Sequence, residues 1–288
     1  MDLLSFFWIV CTAGLLAFLF YKGHKNTKQV DLKKIFVHHP DAPAAKAVRL
    51  RILHLSDMHL ENISISPGQL YEKLQNEQVD LIALTGDFLD RKRTIPKLIP
   101  YLQVLNDLDS KYGIYAVLGN HDYVLRKKNL KYLEEVFAAH NCKVLHNESI
   151  AITVSGIKVN IVGIDDYSTG RSDLAKAFRG VKSGAVLVLT HDPNVVLQMK
   201  NYHFDYLLAG HFHGGQICYP KAYHLAKMGK LPRMNIIKGL HEYDHKLFYI
   251  SEGLGQTGIN VRYGSRPELS IHDWALASAN SHFDSSAI

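Results

Sequence analysis

The chain has 288 residues, of which 47% are hydrophobic, 21% charged and 10% aromatic. That composition excludes a disordered, collagen-like or low-complexity scaffold and leaves ample chain for a buried core. Three cysteines, Cys11, Cys142 and Cys218, lie far apart, make no CxxC pair and are odd in number, which argues against a disulfide framework. The net charge is +6, but residues 22–34 alone carry +4, through Lys22, Lys25, Lys28, Lys33 and Lys34 against Asp31. The basic balance belongs to one short stretch, so nucleic acid is not an expected partner.

From Leu3 to Tyr21 the sequence LLSFFWIVCTAGLLAFLFY holds no charged residue. At ~1.5 Å rise per residue, such a helix approaches the roughly 30 Å hydrocarbon thickness of a bilayer. The only charge before it is Asp2, where a signal peptide would carry positive residues, and it ends in Phe20, Tyr21 and Lys22 rather than in a small-residue cleavage site. Residues 1–21 therefore read as a transmembrane anchor. The lysines that follow predict that everything downstream lies on the cytoplasmic side, with an extracytoplasmic domain as the alternative.

Residues 22–47, polar and containing Pro40 and Pro43, read as a basic juxtamembrane linker, and residues 276–288 as a C-terminal tail. Between them, 48–275 reads as one domain. Strand-like runs are expected at Val48–Leu55, Val79–Thr85, Ile114–Leu118, Lys143–Leu145, Ile150–Val154, Val159–Ile164, Ala185–Thr190, Tyr206–Ala209 and Leu247–Ser251. Helical runs are expected at Gln69–Gln78, Ile95–Asp109 and Leu130–His140. Strand and helix alternate in the first half, and strands dominate the second.

Five of these strands end in polar punctuation: Asp57-Met58-His59, Gly86-Asp87, Gly119-Asn120-His121-Asp122, His191, and Gly210-His211-Phe212-His213. Buried strands of α/β folds present their active groups at the carboxyl ends, so these side chains should converge. Carboxylates, imidazoles and one amide suit manganese, iron or zinc. Seven such donors exceed one tetrahedral site and suit two ions about 3.5–4 Å apart.

The ordered series DxH, GD, GNH, a single His and GHxH resembles the calcineurin-like metallophosphoesterases over roughly residues 49–265. The resemblance implies an α/β fold, a four-layer α-β-β-α sandwich, here preceded by one transmembrane helix. It implies that Asp57, His59 and His213 hold one divalent ion, that Asn120, His191 and His211 hold a second, and that Asp87 bridges them, with manganese favoured over iron or zinc. It also implies hydrolysis by a metal-bridging hydroxide attacking phosphorus in line, with His121 stabilising the transition state or protonating the leaving oxygen. Asp122, beside it, would orient that ring or simply close a turn.

The stretches His213–Ile217 and Gly253–Gly255, with Arg262 and Pro267-Glu268 downstream, resemble bacterial membrane-associated phosphodiesterases, of which one branch hydrolyses UDP-2,3-diacylglucosamine in lipid A synthesis. A nucleotide-lipid or other phosphodiester substrate at the inner membrane is then expected. Arg91 and Arg126, each a few residues past an expected ligand, and Arg262 are the candidates for phosphate contact, the first two with solvated helix starts as the alternative. Residues 219–240 are apolar and basic, and read as an acyl-binding or membrane-facing lip, or as a packed insertion. Two other functions fit the same ligands: a broad-specificity phosphodiesterase or phosphoprotein phosphatase, and a metal-binding membrane scaffold without turnover.

Overall fold

The computed structural model describes residues 2–38, 48–63 and 65–276. The chain opens with helix α1 (Leu3–Asn26), then β1 (Asp31–Val37), β2 (Val48–Leu55), α2 (Pro67–Leu74), β3 (Leu81–Thr85), α3 (Ile95–Asp107), β4 (Ile114–Val117), α4 (Lys127–Ala139) and β5 (Cys142–Val144). It continues through β6 (Glu148–Val154), β7 (Ile157–Gly163), α5 (Leu174–Phe178), β8 (Ala185–Leu189), β9 (Tyr206–Ala209), α6 (Lys230–Arg233), β10 (Gly239–Tyr243), β11 (Lys246–Ile250) and β12 (Glu268–Leu276).

The strands form two six-stranded sheets, ordered β1-β12-β2-β3-β4-β5 and β10-β11-β9-β8-β7-β6. Apolar side chains of both, among them Ile52, Leu81, Val159, Leu187 and Trp274, fill the space between them. Helices α2, α3 and α4 cover the outer face of the first sheet, where Leu70, Leu98 and Leu133 are buried. The outer face of the second sheet is covered by α5, α6 and short 3₁₀ turns. The result is the four-layer sandwich expected from the sequence. The strand LIALT of β3 and AVLVL of β8 are buried at every position, as strands covered on both faces must be. Helix α2 begins with a reciprocal cap, in which the Ser66 hydroxyl takes the Gln69 amide and the Gln69 side chain takes the Ser66 amide.

At the N-terminal end two boundaries differ from the sequence reading. Helix α1 runs on to Asn26, and 31–37 is a strand rather than linker. This strand pairs in parallel with β12 from Asp31–Glu268 to Val37–Trp274. Its sequence DLKKIFV hides the strand because an edge position buries only Val37 fully, while Lys33 points inward to Glu252 and Glu268, at 2.7 Å from each. Residues 39–47 of the expected linker and 277–288 of the expected tail lie outside the described residues.

Strands β2, β3 and β4 are mutually parallel in one sheet, and β8 and β9 in the other. The carboxyl ends of each set therefore open on one edge of their sheet, and β3 packs against both β8 and β9 across the sandwich. The five motif loops leave from these ends.

Candidate metal centre

The backbone of the motif loops is bent into the left-handed region at five of the expected ligands: Asp57 (φ 50°), His59 (39°), Asp87 (56°), His211 (75°) and His213 (51°). Non-glycine residues avoid this region, and each instance costs free energy that the surrounding structure must supply. Five within one cluster mark a place where side-chain direction has been fixed at the expense of stability. The loops also approach very closely. A Cβ on Gly119 would lie 2.2 Å from the Asp87 carboxylate, so no other residue fits there without displacing that loop.

The side chains converge on Asp87. Its Oδ1 accepts the His121 amide at 2.9 Å. Its Oδ2 lies 3.1 Å from His191 Nε2 and 3.6 Å from His59 Nε2, between two groups of donors. The first group is Asp57, His59 and His213; the second is Asp87, His191 and His211. Within the first, His213 Nε2 is 3.4 Å from Asp57 and 3.2 Å from His59 Nε2. Within the second, His211 Nδ1 is 3.1 Å from His191 Nε2. His191 donates its Nδ1 proton to the Thr85 carbonyl at 2.7 Å, which turns its Nε2 lone pair toward Asp87 and His211. A third grouping joins His59, Asp87 and His121.

The donor set fits two divalent ions sharing Asp87. The facing imidazole nitrogens, 3.1–3.2 Å apart, lie within hydrogen-bond distance of each other and close enough that one cation could accept from both rings. Burial pushes the His211 ring down to about 4 and the His213 ring well below its ordinary range, so both stay neutral and able to ligate. Asn120 Oδ1 is buried with no hydrogen-bond partner, an orphan acceptor of the kind a metal would satisfy. Asp57, His59 and His213 fall in one grouping and His191 and His211 with Asp87 in another, while Asn120 lines the same cavity outside both.

The structure decides between the alternatives left open for Asp122, Arg91 and Arg126, and corrects the reading of Arg262. Asp122 does not orient His121. Its carboxylate is wholly buried and accepts the backbone amides of Asp87, Phe88, Leu89 and Gly119 at 2.9–3.2 Å, so it ties two motif loops together. Asp90 takes the expected place: His121 Nδ1 is 2.7 Å from its Oδ1. Burial opposes the imidazolium, but the Asp90 hydrogen bond and the Asp87 charge outweigh it and push His121 up to about 9. The signal for Asp90 was its place three residues after Asp87 on the same loop.

Arg262 does not face a phosphate. Its guanidinium is fully buried and donates to the carbonyls of His213, Glu252, Gly253, Gly255 and Arg266 and to Ser265 Oγ. It braces the loops behind His213 and Asp57. Arg91 and Arg126 are exposed at the entries to the turn at Lys92–Thr94 and to α4, and neither lines the cavity at the site.

That cavity has a volume of about 460 Å³. It is lined by Asp87, Asn120, His121, His211 and His213, and also by Phe212, Ile217, Leu225, Met228 and Ile259. Polar donors and an apolar wall thus share one space.

A sandwich with clustered carboxylate and imidazole donors at its strand ends defines a metal-dependent hydrolase. The family model of the calcineurin-like phosphoesterases matches residues 50–215. The uncharacterized metallophosphoesterase YkoQ of Bacillus subtilis is 55% identical over 269 residues, which cover 92% of this chain and 99% of that protein. The UDP-2,3-diacylglucosamine pyrophosphatases LpxG of Chlamydia muridarum and Chlamydia trachomatis are 27% and 24% identical, each match covering 77% of this chain and 82% of that protein. The chain belongs to the calcineurin-like phosphoesterase family and is a metal-dependent hydrolase of phosphoester or pyrophosphate bonds.

Proposed function

We propose that the chain hydrolyses a phosphodiester or pyrophosphate bond in a membrane-borne substrate, using two divalent ions held by Asp57, His59, Asp87, Asn120, His191, His211 and His213. The observation that carries this reading is the sharing of Asp87 between two donor groups, with the His121–Asp90 pair beside it at the cavity. Two divalent ions bound there would supply Lewis acidity toward the phosphate oxygens and a nucleophilic water at neutral pH.

The protein's own groups supply the rest. The neutral rings of His211 and His213 and the carboxylates of Asp57 and Asp87 hold the charge balance of the site. His191 is locked in the ligating tautomer by Thr85. His121, paired with Asp90 and only partly buried, offers its Nε2 proton to the departing oxygen, and its charge offsets the negative charge growing there.

Membrane association rests on α1, which is long and apolar enough to cross a bilayer and is exposed over residues 2–22. Lys22, Lys25 and Lys28 at its end support a cytoplasmic catalytic domain under the positive-inside tendency. The likeness to LpxG makes UDP-2,3-diacylglucosamine the first substrate to test, with manganese as the first metal. The test is hydrolysis of that lipid beside bis(p-nitrophenyl) phosphate by the full-length protein. Release of UMP identifies a nucleotide-lipid pyrophosphatase. Cleavage of the soluble diester alone keeps the phosphodiesterase and discards this lipid.

A further inference from the structure

Helix α1 ends on the rim of the cavity. The Arg262 amide donates to the Gly23 carbonyl at 3.0 Å, Asn26 Nδ2 donates to the Arg262 carbonyl at 2.8 Å, and the Tyr263 hydroxyl donates to the Leu19 carbonyl. The approach is close enough that a Cβ on Gly23 would lie 2.5 Å from the Tyr263 ring, so glycine is what lets the helix dock. On its other side Tyr263 holds the cavity wall. Its amide donates to the Gln216 carbonyl at 2.8 Å, and its carbonyl accepts the Cys218 amide at 2.7 Å, pairing it with Ile217 in a short parallel bridge. Gln216 in turn donates to the carbonyls of Thr257 and Ile259 at 2.9 Å. Two cavity-lining residues, Ile217 and Ile259, are therefore tied to the end of α1 through Tyr263 and its neighbours Asn260 and Arg262.

Asn26 lies only seven positions beyond Leu19, about 10 Å of helix. The cavity mouth must then lie within a turn or two of the plane where the apolar span ends. The surface there has the composition of a membrane interface. Tyr219 is 86% exposed, Tyr223 70%, Ile259 63% and Ile217 44%. Lys221, Lys227, Lys230 and Arg233, in the same segment, are also exposed. Tyrosines with apolar neighbours and flanking lysines are stable at the headgroup layer and costly in bulk water.

We propose that this rim is seated in the bilayer. Ile217, Tyr219, Tyr223 and Ile259 enter the interfacial layer of the leaflet into which α1 emerges, and the cavity opens toward lipid. The substrate is accordingly an amphiphile whose phosphoester reaches Asp87 and His121 from the leaflet, a statement that rests on the function proposed above. The occupant of the exposed apolar rim is the membrane surface, because the same tyrosine that shapes the rim anchors the membrane helix.

The test uses the full-length protein in vesicles of phosphatidylcholine and phosphatidylglycerol brominated on their acyl chains. Tyr223→Trp is placed in a Trp8→Phe background, and the parent Trp8→Phe protein gives the baseline from buried Trp274. Quenching and a blue shift of the added emission are expected. Unquenched, water-like emission, in protein that still cleaves bis(p-nitrophenyl) phosphate, would overturn the inference while leaving the hydrolase intact; the same emission in a protein that self-associates would assign the rim to a second copy and overturn it equally. A second variant, Tyr219→Asp with Tyr223→Asp, should raise KM roughly tenfold for hexadecyl p-nitrophenyl phosphate in vesicles and leave bis(p-nitrophenyl) phosphate cleavage unchanged. Equal effects on both substrates, or none on either, would contradict it. Failure of metal-loaded wild-type protein to cleave either compound would instead sink the proposed function, and the quenching result would still decide the position of the rim.

Discussion

His121 Nδ1 donates to Asp90 Oδ1 across 2.7 Å, in a loop where Asp87, three residues earlier, faces two groups of metal-ligating side chains. This pairing fixes the ring and leaves Nε2 free. If His121 delivers a proton to the leaving oxygen, its loss should matter most when that oxygen is strongly basic. His121→Ala should lower kcat by about 10²–10⁴ for alkyl diesters and far less for p-nitrophenyl esters. Asp90→Asn should follow the same pattern at about 10–100-fold. Metal content, measured by plasma mass spectrometry, should be unchanged in both. Loss of an ion from His121→Ala would make that residue a ligand, as its place in the His59–Asp87–His121 grouping would allow.

Asn120 offers the sharpest test of the second ion. Its buried Oδ1 has no hydrogen-bond partner among the described residues. Asn120→Ala should leave the fold intact by circular dichroism, reduce the metal content and lower turnover by orders of magnitude. Near-native turnover would remove Asn120 from the site.

Arg262 should behave as a brace. Six donated hydrogen-bond contacts join its buried guanidinium to the loops around His213 and Gly253. Arg262→Ala strands several buried carbonyls and should cost more than about 3 kcal/mol in denaturant titration. Arg91→Ala and Arg126→Ala, both at exposed positions outside the cavity, should leave stability and turnover essentially unchanged. A large KM effect in either would return it to the substrate.

Strand β1 separates two truncations. Removing residues 1–21 takes away the apolar span but keeps Lys33, which neutralises Glu252 and buried Glu268. That domain should be soluble and cleave small diesters. Removing residues 1–37 exposes the edge of β12 and takes the Lys33 ammonium from buried Glu268, so aggregation on expression is expected, read by size-exclusion chromatography. A monodisperse, active 38–288 fragment would show that β1 is dispensable.

The fold and the donor set were legible where burial or chemistry leaves a local mark. Continuous apolar runs such as 81–85 and 185–189 became strands, and the polar residues just past them became the site. Strand β12 was not legible, because Glu268, Ser270 and His272 read as a polar surface. They are buried polar residues: Glu268 is satisfied by Lys33 and Tyr249 and His272 by Tyr206, all from distant elements, while Ser270 pairs with His272 within the strand. Asp122 was left between two roles, and Arg262 was misread, for a related reason. A charged residue beside a motif looks functional in sequence, and only the loops that return to it reveal that its partners are backbone groups. Asp90 was overlooked because its one local mark, a place three residues after Asp87, does not show that His121 returns to it from another loop.

The most direct test of the central claim is metal-dependent turnover of bis(p-nitrophenyl) phosphate by the full-length protein, chelated and then reloaded. Chelation should abolish hydrolysis and manganese, iron or zinc should restore it, with two ions per chain at full activity. Hydrolysis indifferent to chelation, or none in protein carrying two ions, would contradict it.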